Sequence, residues 1–135
     1  MRIFLDANIL FSASNPKWLT HDFVELLLRH AECLTNAYAL EEARRNLAKH
    51  FPACLPELDR IVERLTFAPV IVRDLGVELV EKDQPILGGA IGGHATHLLT
   101  GDARDFGALL GKSVRGVKVV DQAMLARELV ERGIL

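Results

Sequence analysis

The sequence predicts an α/β protein with a mostly parallel sheet and helices on both of its faces. Short apolar segments alternate with segments of helical periodicity along the chain, and this order favours parallel strands joined by helical crossovers. The chain has 135 residues, of which 50% are hydrophobic and 25% charged, as is typical of one globular domain. No repeat or linker divides it, so we predict a single domain over residues 1–135.

The first half of the chain is predicted to contain strands and helices in alternation. Continuous apolar segments indicate buried strands over residues 2–6 and 32–35. Apolar residues three and four positions apart indicate a helix over 18–30. Asn36 is a typical N-cap for the next helix, which extends to about His50. Prolines then interrupt the chain, and a further helix is predicted over 57–65.

The second half continues the alternation and ends with a helix. From their apolar and β-branched content, we predict strands over residues 69–72, 97–100 and 117–120. We predict helices over residues 74–81, over 84–95, and from the N-cap Asp121 to Gly133.

The predicted helix over 84–95 is rich in glycine, with Gly88, Gly89, Gly92 and Gly93. Each glycine costs a helix roughly 1 kcal/mol relative to alanine, so four of them indicate that another group packs closely. We interpret them as smooth stripes that pack on the sheet. A subunit interface is the alternative.

Three aspartates lie where predicted strands end or a helix begins. Asp6 ends the first strand, Asp102 follows the fourth, and Asp83 precedes the glycine-rich helix. Each alone could be a helix cap. In a parallel sheet, however, the carboxyl ends of the strands meet at one edge, where ligands bind. Clustered carboxylates repel one another unless a cation joins them, so the pattern predicts a metal site.

Four segments resemble the sequence motifs of PIN domains, in the same order along the chain. They are FLDANIL at 4–10, LEEARRNL at 40–47, KDQPIL at 82–87 and LTGDARDF at 99–106. One such motif would be weak evidence, but the four together span most of the chain. The sequence therefore resembles a PIN domain, in particular the VapC-like ribonucleases.

The resemblance implies a three-layer α/β/α fold with a parallel sheet of about five strands. It also implies a metal-dependent endoribonuclease, and many such proteins are toxins of toxin–antitoxin pairs. Carried onto this sequence, it assigns a Mg²⁺ or Mn²⁺ site to Asp6, Glu42, Asp83 and Asp102, with Asp105 as a fifth catalytic acid. The polar positions that would support the site are Asn8, Ser12 and Thr100.

The reaction and the partners are also expected from the resemblance. The substrate would be RNA, and metal-activated water would attack phosphorus to leave a 5′ phosphate and a 3′ hydroxyl. Asp102 or Asp105 could position this water, and either one or two ions could act. The expected protein partners are an antitoxin and a second copy of the chain in a homodimer.

The choice of the site glutamate stays open between Glu41 and Glu42. Both lie off the apolar face of the helix, so periodicity does not decide between them. Glu41 has arginines at i+3 and i+4 as surface partners, whereas Glu42 has one arginine at i+3. This difference slightly favours Glu42, as does the resemblance.

Local cationic side chains are needed to hold RNA, because the formal net charge of the chain is −2. The main candidates for substrate binding are Arg44, Arg45 and Arg104, and further candidates are Lys17, Lys49 and Lys112. The alternative for each is a solvated surface charge. Since the chain has one tryptophan and one tyrosine, we expect base stacking to contribute little.

Other classes of protein fit the sequence less well. No apolar segment approaches the roughly 18 residues that span a membrane, and no signal peptide is recognised. Cys33 and Cys54 lack metal-site spacing, so we expect reduced thiols in a cytoplasmic protein. A dehalogenase-type phosphatase needs an acid two residues after Asp6, where this chain has Asn8. The main alternative is a catalytically silent PIN-like module that binds RNA or protein.

Overall fold

The structure is a computed structural model that describes residues 1–70 and 75–135. Its strands are Arg2–Leu5 (β1), Glu32–Thr35 (β2), Thr66–Phe67 (β3), His97–Leu99 (β4), Ser113–Val114 (β5) and Val117–Val120 (β6). Within the described residues they form one sheet in the order β3-β2-β1-β4-β6-β5. All pairs are parallel except β5 with β6 at one edge.

Helices flank this sheet and alternate with its strands. They are Ala7–Ala13 (α1), Leu19–His30 (α2), Ala37–His50 (α3), Leu55–Val62 (α4), Gln84–Gly92 (α5), Ala103–Phe106 (α6) and Gln122–Glu131 (α7). Short 3-10 turns occupy Pro52–Cys54, Glu81–Asp83 and Gly107–Leu109. Among the described helices, none combines the length and the apolar composition needed to cross a bilayer.

Helices cover both faces of the sheet, which confirms the predicted three-layer α/β/α fold. Successive strand residues point to opposite faces. The position of Gly89 against the Phe4 ring places α5 on one face. His97 is in register with Ile3 and so points to the opposite face, where its ring bonds Glu128 of α7. Because β1 is covered on both sides, its apolar residues need not alternate with polar ones.

The third strand lies earlier in the chain than the predicted 69–72. β3 pairs with β2, and the backbone N–H of Ala68 extends the pairing by donating to the Thr35 carbonyl at 2.8 Å. Pro69 has no N–H to donate, which ends the ladder. Ile71 and Val72 lie outside the described residues.

The predicted helix over 74–81 is not found in the part of that segment that the structure describes. Asp74 lies outside the described residues, residues 75–80 are bend and irregular backbone, and a 3-10 turn begins at Glu81. The helix predicted over 84–95 is present but ends at Gly92. His94 lies in the left-handed region of the backbone, with a φ of 57°. Asp121 caps α7 as predicted, accepting from the Met124 N–H at 2.8 Å.

Three elements were absent from the sequence prediction. α1 begins directly after the aspartate that ends β1, so strand and helix follow without a loop. α6 has four residues and β5 has two, which are too few to form a recognisable periodic pattern.

Two of the four glycines, Gly89 in α5 and Gly93 directly after it, pack closely inside the protein, as the first of the two interpretations predicted for all four. A Cβ on Gly89 would lie 2.4 Å from Asn36 Nδ2 and 3.1 Å from Phe4 Cε2. A Cβ on Gly93 would lie 2.8 Å from the Cβ of Ala68. The faces that carry these two glycines are therefore buried inside the domain.

Gly89→Ala should destabilise the protein by about 1–3 kcal/mol, because buried Asn36 and Phe4 leave no room for a methyl group. Asn36 cannot move freely, since its amide donates to the Pro85 carbonyl at 3.1 Å. The measurement is the urea midpoint at constant m-value.

Gly107→Ala is the matched control, because a Cβ there meets nothing within 4 Å. Equal midpoints for the two variants would contradict the close packing of α5.

Candidate metal centre

Asp6 is a buried carboxylate at the junction of β1 and α1. Its backbone N–H donates to the Leu99 carbonyl of β4 at 3.1 Å. Its Oδ1 accepts from the Ala7 N–H at 2.6 Å and caps α1, and its Oδ2 accepts from the Thr100 hydroxyl at 2.7 Å. With 3% of its surface exposed, Asp6 is fixed by the ends of two adjacent strands.

The turn after β4 is tied to α1 by Asn8. The Asn8 side-chain oxygen accepts from the Gly101 N–H at 2.8 Å, and Thr100 Oγ1 accepts from the Asp102 N–H at 3.0 Å. Asp102 in turn caps α6 by accepting from the Asp105 N–H at 3.0 Å. Asn8 and Thr100 therefore hold the acidic turn beside Asp6.

Asp83 brings a third element to the same place. It ends the 3-10 turn before α5 and has 6% of its surface exposed. Its Oδ2 is buried without a hydrogen-bond partner. One carboxylate oxygen from each of Asp83, Asp102 and Asp105 lies within 4.8 Å of the other two. Three acids from two distant segments thus converge.

The geometry separates the two candidate glutamates. Glu42, Asn46 and His50 lie four residues apart on α3 and line the same cavity. Glu42 is close enough to Asp6 for its charge to raise the pKa of that carboxyl. Glu41 is exposed and belongs to the neighbouring stripe of the helix. Glu42 is therefore the glutamate that faces the acids.

These side chains enclose one cavity of about 320 Å³. It is lined by Asp6, Ala7, Asn8, Phe11, Glu42, Asn46, His50, Lys82, Asp83 and Asp102. All four residues of the predicted metal set line it. Asp105 lies at its edge through its contacts with Asp83 and Asp102.

Several other predicted residues lie elsewhere. Ser12 lines a separate cavity with Asn8 and Thr100. Neither Arg44 nor Arg45 lines the acidic cavity. Arg44 forms an ion pair with Asp59 at 2.9 Å, and Arg45 is exposed. Arg104 lines a different groove beside Asp105.

Four further side chains, absent from the predicted site, complete the cavity wall: Phe11, Asn46, His50 and Lys82. The spacing of four residues from Glu42 to Asn46 and His50 was visible in the sequence and could have identified both. Lys82 is the cation nearest to the acids, with its Nζ 3.1 Å from Asp105 Oδ2, and it directly precedes Asp83 in the sequence.

Burial and mutual repulsion disfavour the ionised form of the buried acids in this cluster. Burial raises the pKa of Asp6 to about 6, against the hydrogen bonds from Thr100 and Ala7, and Glu42 and Asp102 raise it further. Burial, followed by repulsion from Asp6, raises the pKa of Asp83 to about 7. The hydrogen bond from Lys82 is the main reason why the pKa of Asp105 lies below its ordinary value. The site therefore favours an added positive charge.

A hard divalent cation fits this donor set. Every converging acid offers carboxylate oxygen, which Mg²⁺ and Mn²⁺ prefer. The buried Asp83 Oδ2 without a partner is the kind of orphaned atom that a cation would satisfy. The residues present thus suit the metal that the resemblance implies.

Comparisons with known proteins support the fold. No family model matches the sequence, and neither does any curated protein. Among solved structures, the chain is similar to VapBC2 from Rickettsia felis bound to a DNA fragment from their promoter. This match has 19% sequence identity and a TM-score of 0.66, and it covers 90% of this chain and 98% of the other. At this identity the likeness establishes a shared fold.

The metal-free protein should lose stability as the pH rises through about 6 to 7, because Asp6 and Asp83 then ionise within a buried site. The ordinary carboxyl pKa is 3.8, so above it the folded state holds more protons than the unfolded state. Stability therefore falls with increasing pH over this interval. At about pH 8, the free energy of unfolding of Asp83→Asn should be higher than that of wild type by about 1–3 kcal/mol. The measurement is urea unfolding in EDTA.

Asp22→Asn, which alters an exposed acid of α2, is the control for the general effect of removing a negative charge. The electrostatic account fails if wild type and Asp83→Asn change equally in stability between about pH 5.5 and 8.

Proposed function

We propose that this protein is a metal-dependent endoribonuclease that hydrolyses phosphodiester bonds in RNA within the acidic cavity. The observation that carries the proposal is the buried Asp83 Oδ2, which lacks a partner among converging carboxylates. A domain that uses no cation would gain stability by replacing such an oxygen. The motif resemblance supports the choice of RNA as substrate.

The residues that would hold Mg²⁺ or Mn²⁺ are Asp6, Glu42, Asp83 and Asp102. When bound there, the ion would polarise a phosphoryl oxygen and lower the pKa of a bound water. Thr100 and the Ala7 N–H fix the orientation of the Asp6 carboxylate. Asn8 holds the turn that carries Asp102. Hydrogen bonds at the two strand ends thus preorganise two of the four acids, Asp6 and Asp102.

Lys82 and Asp105 have complementary roles in this proposal. Lys82 lines the cavity and pairs with Asp105 at its edge, so its ammonium group can also attract a substrate phosphate. While the pair holds, it lowers the pKa of the Asp105 carboxyl and so favours its ionised form. An ionised Asp105 can accept a hydrogen bond from the attacking water and orient it.

A catalytically silent binding module is the alternative. The raised pKa values of Asp6 and Asp83 argue against it, because a binding surface has no need for buried carboxylates that repel one another.

A role as the toxin of a toxin–antitoxin pair is part of the proposal. The shared fold with a chain of the VapBC2 complex and the VapC-like motifs support it. The acidic cavity favours the nuclease partner over the antitoxin. A cognate antitoxin and a homodimer are the protein partners that this role would entail.

Wild-type protein should cleave labelled RNA in Mg²⁺ or Mn²⁺ and lose this activity in EDTA. Asp6→Asn and Glu42→Gln should each lower the cleavage rate by about tenfold or more, because each removes a charged oxygen donor from the cavity. Glu41→Gln is the matched control and should cleave like wild type. A gel assay over a panel of RNAs measures all four proteins.

The enzyme proposal is wrong if wild type and Asp6→Asn are equally inert while RNA still binds. That result would favour the silent binding module.

Expression of the protein alone should arrest bacterial growth, whereas Asp83→Asn at equal abundance should not, because it removes an acid from the cavity. Colony counts after induction measure the effect, and co-expression of an adjacent small gene tests for the antitoxin. Unaffected growth in cells that contain protein active on RNA in vitro would remove the toxin role and leave a processing nuclease.

A further inference from the structure

A second cavity lies beside the acidic cavity and shares a residue with it. It has a volume of about 380 Å³ and lies between α1, the start of α2, the turn after β4 and the first residues of α7. We call it the side cavity. Asn8 lines both cavities. Thr100 lines the side cavity, and its hydroxyl donates to the buried carboxylate of Asp6 at 2.7 Å. A ligand in the side cavity would therefore be a direct neighbour of a phosphate held at the acids.

The charge of the side cavity excludes a phosphate and favours an uncharged group. Among the described residues that line it, none is a lysine, arginine or histidine, and Asp121 contributes a carboxylate. A phosphate would meet a like charge there without a counter-charge. The uncharged part of a nucleotide that carries its own set of hydrogen-bond donors and acceptors is the base. The volume of the side cavity lies near the lower end of the range for small-molecule sites, about 300–1,000 Å³, and so suits one base.

Asp121 supplies a free acceptor in the wall of the side cavity. Its Oδ1 caps α7 by accepting from the Met124 N–H at 2.8 Å, which holds the half-buried carboxylate in one orientation. Its Oδ2 has no hydrogen-bond partner in the part of the chain that the structure describes. An ionised carboxylate can only accept hydrogen bonds. The ligand of the side cavity must therefore donate to it.

Gln122 and Ser12 supply the complementary groups. The Thr20 hydroxyl donates to Gln122 Oε1 at 2.9 Å, which leaves the Nε2 amide group as the free donor of that side chain. The Ser12 hydroxyl has no hydrogen-bond partner among the described residues and can donate or accept. The side cavity thus combines a fixed acceptor with a fixed donor on the next residue of the chain.

We propose that the side cavity binds a guanine base of the RNA, and that Asp121 and Gln122 select it. This inference rests on the proposed function and adds a base preference to it. The Watson–Crick edge of guanine carries two adjacent donors, N1–H and N2–H, beside the acceptor O6. The two donors match the Asp121 carboxylate, and O6 matches the Gln122 amide.

The other bases fit this pair of side chains less well. Adenine and cytosine each present one amino donor with an acceptor nitrogen beside it. Uracil presents one N–H between two carbonyl groups. Each of them would form one hydrogen bond with the Asp121 carboxylate and turn an acceptor toward it, which is unfavourable because neither group can donate. The chemistry of the side cavity therefore discriminates by hydrogen-bond polarity.

The test is the binding of mononucleotides, which contain no phosphodiester bond and so separate binding from cleavage. Nitrogen–proton correlation spectra of the protein in Mg²⁺ are recorded during titration with the 5′-monophosphates of guanosine (GMP), inosine (IMP), adenosine (AMP), cytidine and uridine. GMP should bind at least about fivefold more tightly than the others, because a two-bond contact to a base discriminates by at least that factor. IMP lacks only the N2 amino group of GMP, so its weaker binding identifies the second donor. The amide signals of Ser12 and Gln122 should shift.

Substitutions of Asp121 and Gln122 then identify the selecting side chains. Asp121→Asn keeps a side chain that caps helices as well as aspartate does, but turns an acceptor into a donor. It should lose the preference for GMP over AMP, and its urea midpoint checks that α7 stays folded. Gln122→Ala leaves the cap intact and should lower the affinity for GMP about fivefold or more. Asp22→Asn removes the same charge from an exposed position of α2, and this control should keep the preference.

The outcomes separate this inference from the proposed function. If GMP, IMP and AMP bind wild type with equal affinity, the guanine site is overturned, whether or not RNA is cleaved. A preference for GMP that survives in both Asp121→Asn and Gln122→Ala overturns it as well, because the selecting groups then lie elsewhere. If GMP binds selectively and both variants lose this selectivity, but no RNA is cleaved with metal, the guanine site is supported and the nuclease proposal fails.

Discussion

A buried carboxylate at the junction of two parallel strands is the constraint on which the rest of this site depends. Asp6 ends β1, and its backbone and its side chain bond the last residue of β4 and the threonine that follows. Parallel pairing brings these strand ends to one edge. The acids of the next turn, and Asp83 before α5, must then lie close to a charge that the fold has already removed from water.

This arrangement has an electrostatic consequence that extends beyond any single residue. Burial and repulsion raise the pKa of both Asp6 and Asp83, whereas Lys82 lowers that of Asp105. The repulsion among these carboxylates can be relieved by protons, by the ammonium group of Lys82 or by a divalent ion. The proposed hydrolysis of a phosphodiester would use the third, since a cation held by the folded acids would also attract the negatively charged substrate.

Local sequence was sufficient wherever a segment carries its own pattern. The strands β1, β2, β4 and β6 and the helices α2, α3 and α7 lie close to their predicted positions, because continuous apolar runs, helical periodicity and capping residues act over short distances. β3 was misplaced, since Pro69 ends its ladder and a two-residue strand carries no period. α6 and β5 were missed for the same lack of length.

For the site, the residue types and their order along the chain already indicated that Asp6, Asp83 and Asp102 would meet, because parallel topology alone brings strand ends together. Tertiary structure was needed to choose Glu42 over Glu41, to bring Lys82 to Asp105, and to place Asp121 and Gln122 with Asn8 around the side cavity. Neighbouring positions on a helix differ by about 100°, and contacts between distant segments depend on how helices pack. The sequence by itself therefore determined which chemical groups the site contains, whereas packing across the sheet decided which side chains point into the cavity.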